Sequence, residues 1–109
     1  MVYQEAELAA LLTSGLEGSA ADYRLFLERV GSHLRAYFKG KLVRAGRTAA
    51  EAEDLVQETL MAVHTRRHTY DVAQPVTPWV YAIARYKLID HLRRSRAALA
   101  SVPIEDAGE

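Results

Sequence analysis

Residues 48–66 read TAAEAEDLVQETLMAVHTR, and their pattern decides the fold. Thr48, followed three residues later by Glu51, has the form of a capping box that opens a helix. At 100° per residue, Ala52, Leu55, Val56, Thr59, Ala62 and Val63 gather on one side, as an amphipathic helix running to about Arg66 requires. The opposite side presents Asp54, Gln57, Glu58, Met61 and Thr65. A methionine among acids and an amide suits an adaptable protein contact. A plain solvated face, with acids favouring the helix N-terminus, is the alternative.

Downstream, His68 to Val76 forms a loop containing Tyr70, Asp71 and Pro75. Thr77 and Pro78 then supply an N-cap and a proline at the first helical position, opening a last helix that runs to about Arg96. Its core side is Val80, Tyr81, Ala84, Leu88 and Leu92. The other side carries Trp79, Tyr86, Lys87, Asp90, Arg93 and Arg94, with Ile83 at the boundary. Rings beside guanidinium groups suit single-stranded nucleic acid, because bases stack on the rings while cations meet phosphates. The competing reading is a solvated basic face that complements the helix dipole, with Trp79 packed over the preceding loop.

Upstream, Ser19 is the expected N-cap of a helix carrying Tyr23, Phe26, Leu27, Val30, Leu34, Tyr37, Phe38 and Leu42, closed by Gly46. A short first helix is expected over Gln4 to Leu12, followed by a linker over residues 13–19. No strand-like alternation, repeat or low-complexity tract appears. The expectation is an all-α protein, a compact bundle of about four helices in one domain spanning residues 1–97. Residues 98–109 read as the start of a linker.

The chain has 109 residues, no cysteine and a formal net charge of +0. Disulfides and thiolate metal sites are thereby excluded, and a reducing, cytoplasmic setting is expected. No apolar run approaches a membrane span, so no membrane insertion is expected. Zero net charge conceals a division. Glu5, Glu7, Glu17, Asp22 and Glu28 make the beginning acidic, while Arg85, Lys87, Arg93, Arg94 and Arg96 face only Asp90 near the end. A phosphate backbone meets the local face rather than the mean. His64 and His68 are spaced i, i+4, but no carboxylate ligand stands nearby, so no metal is expected. No acid–base pair, nucleophile motif or glycine-rich phosphate loop points to an enzyme or a cofactor.

The run Ala52-Glu53-Asp54-Leu55-Val56-Gln57-Glu58-Thr59, then Trp79-Val80-Tyr81-Ala82-Ile83-Ala84-Arg85 and Leu88-Ile89-Asp90-His91-Leu92-Arg93-Arg94, resembles conserved region 2 of the sigma-70 family. It is most similar to the extracytoplasmic-function (ECF) group. The resemblance covers about residues 20–97. It implies a factor that binds RNA polymerase core and recognises and melts the promoter −10 element to start transcription.

Carried over position by position, it assigns Asp54, Gln57, Glu58 and Met61 to the clamp coiled coil of the polymerase β′ subunit. The Tyr70–Thr77 loop, with Asp71, corresponds to the segment that captures a flipped base of the non-template −10 strand. Trp79, Arg85, Tyr86, Lys87, Asp90, Arg93 and Arg94 correspond to the promoter-reading helix. Tyr86 stands where many members have asparagine, so base preference there does not transfer. Leu60 replaces a frequent phenylalanine. A −35-binding domain is expected to follow in the natural protein, and an anti-sigma factor is an expected partner. The main alternative is a sigma-like module whose chief role is to bind such a regulatory protein. A helix-turn-helix repressor needs a shorter turn than the loop before Trp79.

Overall fold

In the computed structural model, residues 2–100 are described, with side chains for residues 4–96. Four helices follow in order: α1 (Val2–Leu16), α2 (Ala20–Arg44), α3 (Ala52–Thr65) and α4 (Val76–Ala100). Short 3-10 turns, Ala49–Glu51 and Arg67–Thr69, flank α3. No strand occurs among the described residues, and no described helix is long and apolar enough to cross a membrane.

The core is a column between α2 and the other three helices. Phe26, Val30, Leu34, Phe38 and Leu42 recur every fourth residue of α2 and are buried. They meet Leu8 and Leu12 of α1, Leu55, Val56 and Val63 of α3, and Val80, Ala84 and Leu88 of α4. Ile83, expected at the boundary, is also buried. An edge-to-face pair, Tyr37 with Tyr81 at 5.1 Å between centroids, closes the α2–α4 seam. Such pairs add to simple area burial.

The helix ends explain where the sequence reading shifts. α1 does not stop at Leu12 but continues to Leu16, through part of the expected linker. Its stop is Gly18 at φ 118°, where Ser19 N–H donates to Ser14 O at 3.1 Å and Gly18 N–H to Gly15 O at 3.1 Å. That is a Schellman closure, which needs the left-handed conformation glycine tolerates. Gly46 at φ 77° closes α2 in the same manner, with Arg47 N–H donating to Leu42 O at 2.8 Å. Ser19 caps α2 as expected, its Oγ accepting from the Asp22 amide at 3.2 Å. The Thr48–Glu51 capping box also forms, with the Glu51 carboxylate accepting from the Thr48 amide at 3.4 Å.

The start of α4 differs from expectation. Thr77 is the second residue of the helix rather than its N-cap, because Val76 is already helical. At the other end, α4 runs beyond Arg96 to Ala100, into the first residues of the expected linker. Alanine and leucine favour that continuation. The rest of the tail lies outside the described residues.

Candidate functional site

On α3 the expected polymerase-facing residues form one stripe. Asp54 and Gln57 are exposed, Glu58 is half-buried, and the Met61 side chain is 70% exposed. Glu53, next to this stripe, is not available as a free acid. Arg35 of α2 grips it with two hydrogen bonds at 2.8 and 3.0 Å, and Gln57 Nε2 donates to it at 3.4 Å. These bonds, the one from Arg35 foremost, hold the Glu53 carboxyl at about 2. Asp54 has no ion-pair partner among the described residues.

The Tyr70–Thr77 loop is well structured. Asp71 turns it: its Oδ1 accepts from the Ala73 amide at 2.9 Å and its carbonyl from the Gln74 amide at 2.9 Å, the pattern of an Asx turn. Tyr70 was expected to offer a stacking surface, and the structure places it elsewhere. Its side chain is 7% exposed, its ring lies 5.2 Å from that of Trp79, and its hydroxyl donates to Gln74 O at 2.5 Å. Burial, then the nearby Glu5 and Asp71 charges, push this hydroxyl's pKa up. Tyr70 therefore supports the loop and Trp79 from behind. Thr77 is half-buried, and its amide donates to Glu5 Oε1 at 2.6 Å.

In front of that support lies an open groove lined by Arg66, Thr69, Trp79, Ala82, Ile83 and Tyr86. Trp79 is half-buried and Tyr86 is 66% exposed, so the groove has two aromatic walls seven residues apart on one face of α4. Arg66 and Thr69, which the sequence reading passed over, supply its cation and a hydroxyl. The Arg66-Arg67 pair at the end of α3 was the available signal, but a helix C-terminus attracts cations for its own sake.

A second groove, lined by Glu58, Met61, Ala62, Thr65, Arg66 and Lys87, runs along the α3–α4 seam. Arg94 spans that seam, meeting Asp90 at 3.1 Å and Glu58 at 3.6 Å. The two faces that the sequence presented as separate thus adjoin, sharing Arg66 and joined through Arg94. Arg93 is exposed beyond them, with no carboxylate within ion-pair distance among the described residues. Arg85 is not brought into the aromatic groove. It is exposed, but a helix turns 100° per residue, so it aligns with Ile89 and not with Tyr86.

His91 was also unforeseen. It is half-buried, and its Nε2 lies 2.7 Å from Glu51 Oε1. His64 Nδ1 bonds the Tyr23 hydroxyl at 2.6 Å, linking α3 to α2. No group of three or more metal-ligating side chains occurs among the described residues.

The comparisons bear on the family to which this four-helix frame belongs. The family described as Sigma-70 region 2 matches residues 23–98. The chain is 49% identical over 106 residues, 97% of its length, to the ECF RNA polymerase sigma factor SigF of Caulobacter vibrioides. It is 34% identical over 65 residues, 59% of its length, to the ECF RNA polymerase sigma factor RpoE of Cereibacter sphaeroides. Over 45 residues, 41% of its length, it is 42% identical to the ECF RNA polymerase sigma factor SigM of Bacillus subtilis.

The chain belongs to the sigma-70 family and carries its region 2. Within that family it belongs to the ECF group. It spans 57% of the Caulobacter protein, 36% of the Cereibacter protein and 27% of the Bacillus protein. No solved structure matches it.

Proposed function

We propose that this chain is the part of an ECF sigma factor that docks on RNA polymerase core and binds the non-template strand of the −10 element. Asp54, Gln57, Glu58 and Met61 meet the β′ clamp coiled coil. Bases enter the groove between Trp79 and Tyr86, while Arg66, Lys87 and Arg93 face phosphates, and Arg94, paired with Asp90 and Glu58, ties that face to the α3 stripe. The observation that carries this reading is that groove, with its aromatic walls and a cation at its edge.

No bond is made or broken. Unstacking a base costs a few kcal/mol, and stacking on an aromatic side chain returns ~1–3 kcal/mol per base. The balance is near zero, so strand opening requires polymerase to hold the domain in place. The free chain is accordingly expected to bind a −10 single strand weakly and duplex barely at all.

Titration of a labelled non-template −10 oligonucleotide tests this. Tyr86→Ala is expected to lower affinity by about 5- to 150-fold, the loss of one stacked base. Its melting temperature should stay put, since Tyr86 is exposed. Asp54→Ala and Gln57→Ala should instead weaken binding to a β′ clamp fragment and leave oligonucleotide affinity intact. Tight duplex binding with indifference to single strands would refute the reading. Met61, Tyr86 and Ile89 expose 70%, 66% and 48% of their apolar side chains. Those surfaces suit coverage by an anti-sigma factor when the protein is held inactive.

A further inference from the structure

α4 begins without a local cap. Pro75 precedes it and has no side-chain oxygen to offer, and Thr77 lies inside the helix. The first amides of a helix need an acceptor. Here the acceptor comes from the far end of the chain. Glu5 Oε2 accepts from the Val76 amide at 2.7 Å, and Glu5 Oε1 accepts from the Thr77 amide at 2.6 Å. Burial alone would raise this carboxyl, but the bonds from Thr77 and Val76 outweigh it and hold it below the usual range. Glu5 is itself fixed, because Leu8 and Leu12, one and two turns further along α1, are buried in the core.

We infer that Glu5 is a positioning residue for the nucleic-acid groove, fixing where the Tyr70–Thr77 loop passes into α4 and hence where Trp79 stands. The inference rests on the proposed nucleic-acid reading. Tyr70 anchors one end of the loop, through Gln74 and Trp79. Glu5 anchors the other. Trp79 is two residues beyond the amide that Glu5 holds, so slack at this cap displaces the groove's wall. Glu5 makes its hydrogen bonds to α4 amides and none to the Asp54–Met61 stripe of α3, so polymerase docking should be insensitive to it.

The 109-residue chain as wild type, Glu5→Ala and Glu5→Gln tests this in three measurements. These are amide hydrogen exchange, titration of the −10 single strand, and titration of a β′ clamp fragment. In Glu5→Ala, exchange at Val76 and Thr77 should quicken by about three- to thirtyfold, the range for losing a cap. Protection at Val56 and Leu88 should hold. Strand affinity should fall several-fold, β′ affinity should not change, and Glu5→Gln, which keeps the reach and one acceptor oxygen, should retain more strand binding than Glu5→Ala.

Unchanged strand affinity despite quickened exchange would overturn the inference. So would parallel loss of strand binding, β′ binding and core protection, the mark of a merely structural cap. If the wild-type chain bound no single strand, the proposed function would fail instead. Exchange would then decide alone, and equal rates at Val76 and Thr77 in wild type and Glu5→Ala would refute the role of Glu5.

Discussion

Glu51 shows how one side chain can serve several elements. Its carboxylate accepts from Arg47 at 2.8 and 3.1 Å, from the Thr48 amide at 3.4 Å, and lies 2.7 Å from His91 on α4. Arg47 foremost, then His91, depress its carboxyl to about 2. A carboxyl whose folded pKa is depressed stabilises the fold above its unfolded pKa and loses that contribution as pH falls through the folded value. The window here runs from the ordinary 4.5 down to about 2. Glu51→Gln is therefore expected to flatten the loss of helical circular dichroism across that window. It should also lower stability at neutral pH, modestly, because the site is partly open to solvent. An acid transition unchanged by the substitution would show that the node contributes nothing. The capping role of Glu51 was readable from Thr48 three residues earlier. Its tie to His91, forty residues away, had no local signature.

Among the elements, the α1–α2 hairpin turns on a close approach. A Cβ built at Gly15 would stand 2.7 Å from Tyr23 Cβ and 2.9 Å from its Cα, leaving no room for a methyl group. Gly15→Ala should destabilise the chain by about 1–3 kcal/mol through overpacking. Gly18→Ala should also destabilise, by forcing φ 118° on a side-chain-bearing residue. Chemical denaturation separates these from Gly40→Ala, which has only the end of the Arg44 side chain nearby and should be tolerated. From sequence, Gly15 and Gly18 looked like two parts of one linker. Only the position of Tyr23 distinguishes a packing glycine from a terminating one. Periodicity did recover the interior faces of α2, α3 and α4, because a helix that buries one stripe writes that stripe at fixed intervals. It could not recover Tyr70, since a loop residue has no period and an aromatic there reads equally well as buried or offered. Arg85 shows the opposite case: it stands beside Tyr86 in sequence, but helical rotation sets it outside the aromatic groove.

Across the whole molecule, 60 × 23 × 22 Å in extent, zero net charge is the sum of unlike faces. Several cations are already spoken for: Arg35 by Glu53, Arg47 by Glu51, and Arg94 by Asp90 and Glu58. Arg93 has no such partner among the described residues. Each phosphate neutralised on a single strand adds about 0.7 to the slope of log affinity against log salt. Arg93→Ala should reduce that slope by about this amount, whereas Lys39→Ala, on α2, should leave it unchanged. An Arg93→Ala slope equal to wild type would remove Arg93 from the interface.

Helix N-termini are ready-made receptors for phosphate. The one at α4, two residues before the groove wall Trp79 in sequence, is already filled by the protein's own carboxylate. On the proposed reading, a nucleic-acid backbone near this point would find the Val76 and Thr77 amides taken, and a carboxylate in their place. Grip on the strand then falls, on that reading, to side chains such as Arg66, Lys87 and Arg93, which can let go of one phosphate and take the next without unmaking a fixed pocket. The same reading lets a strand be shifted along the groove until a base finds its place.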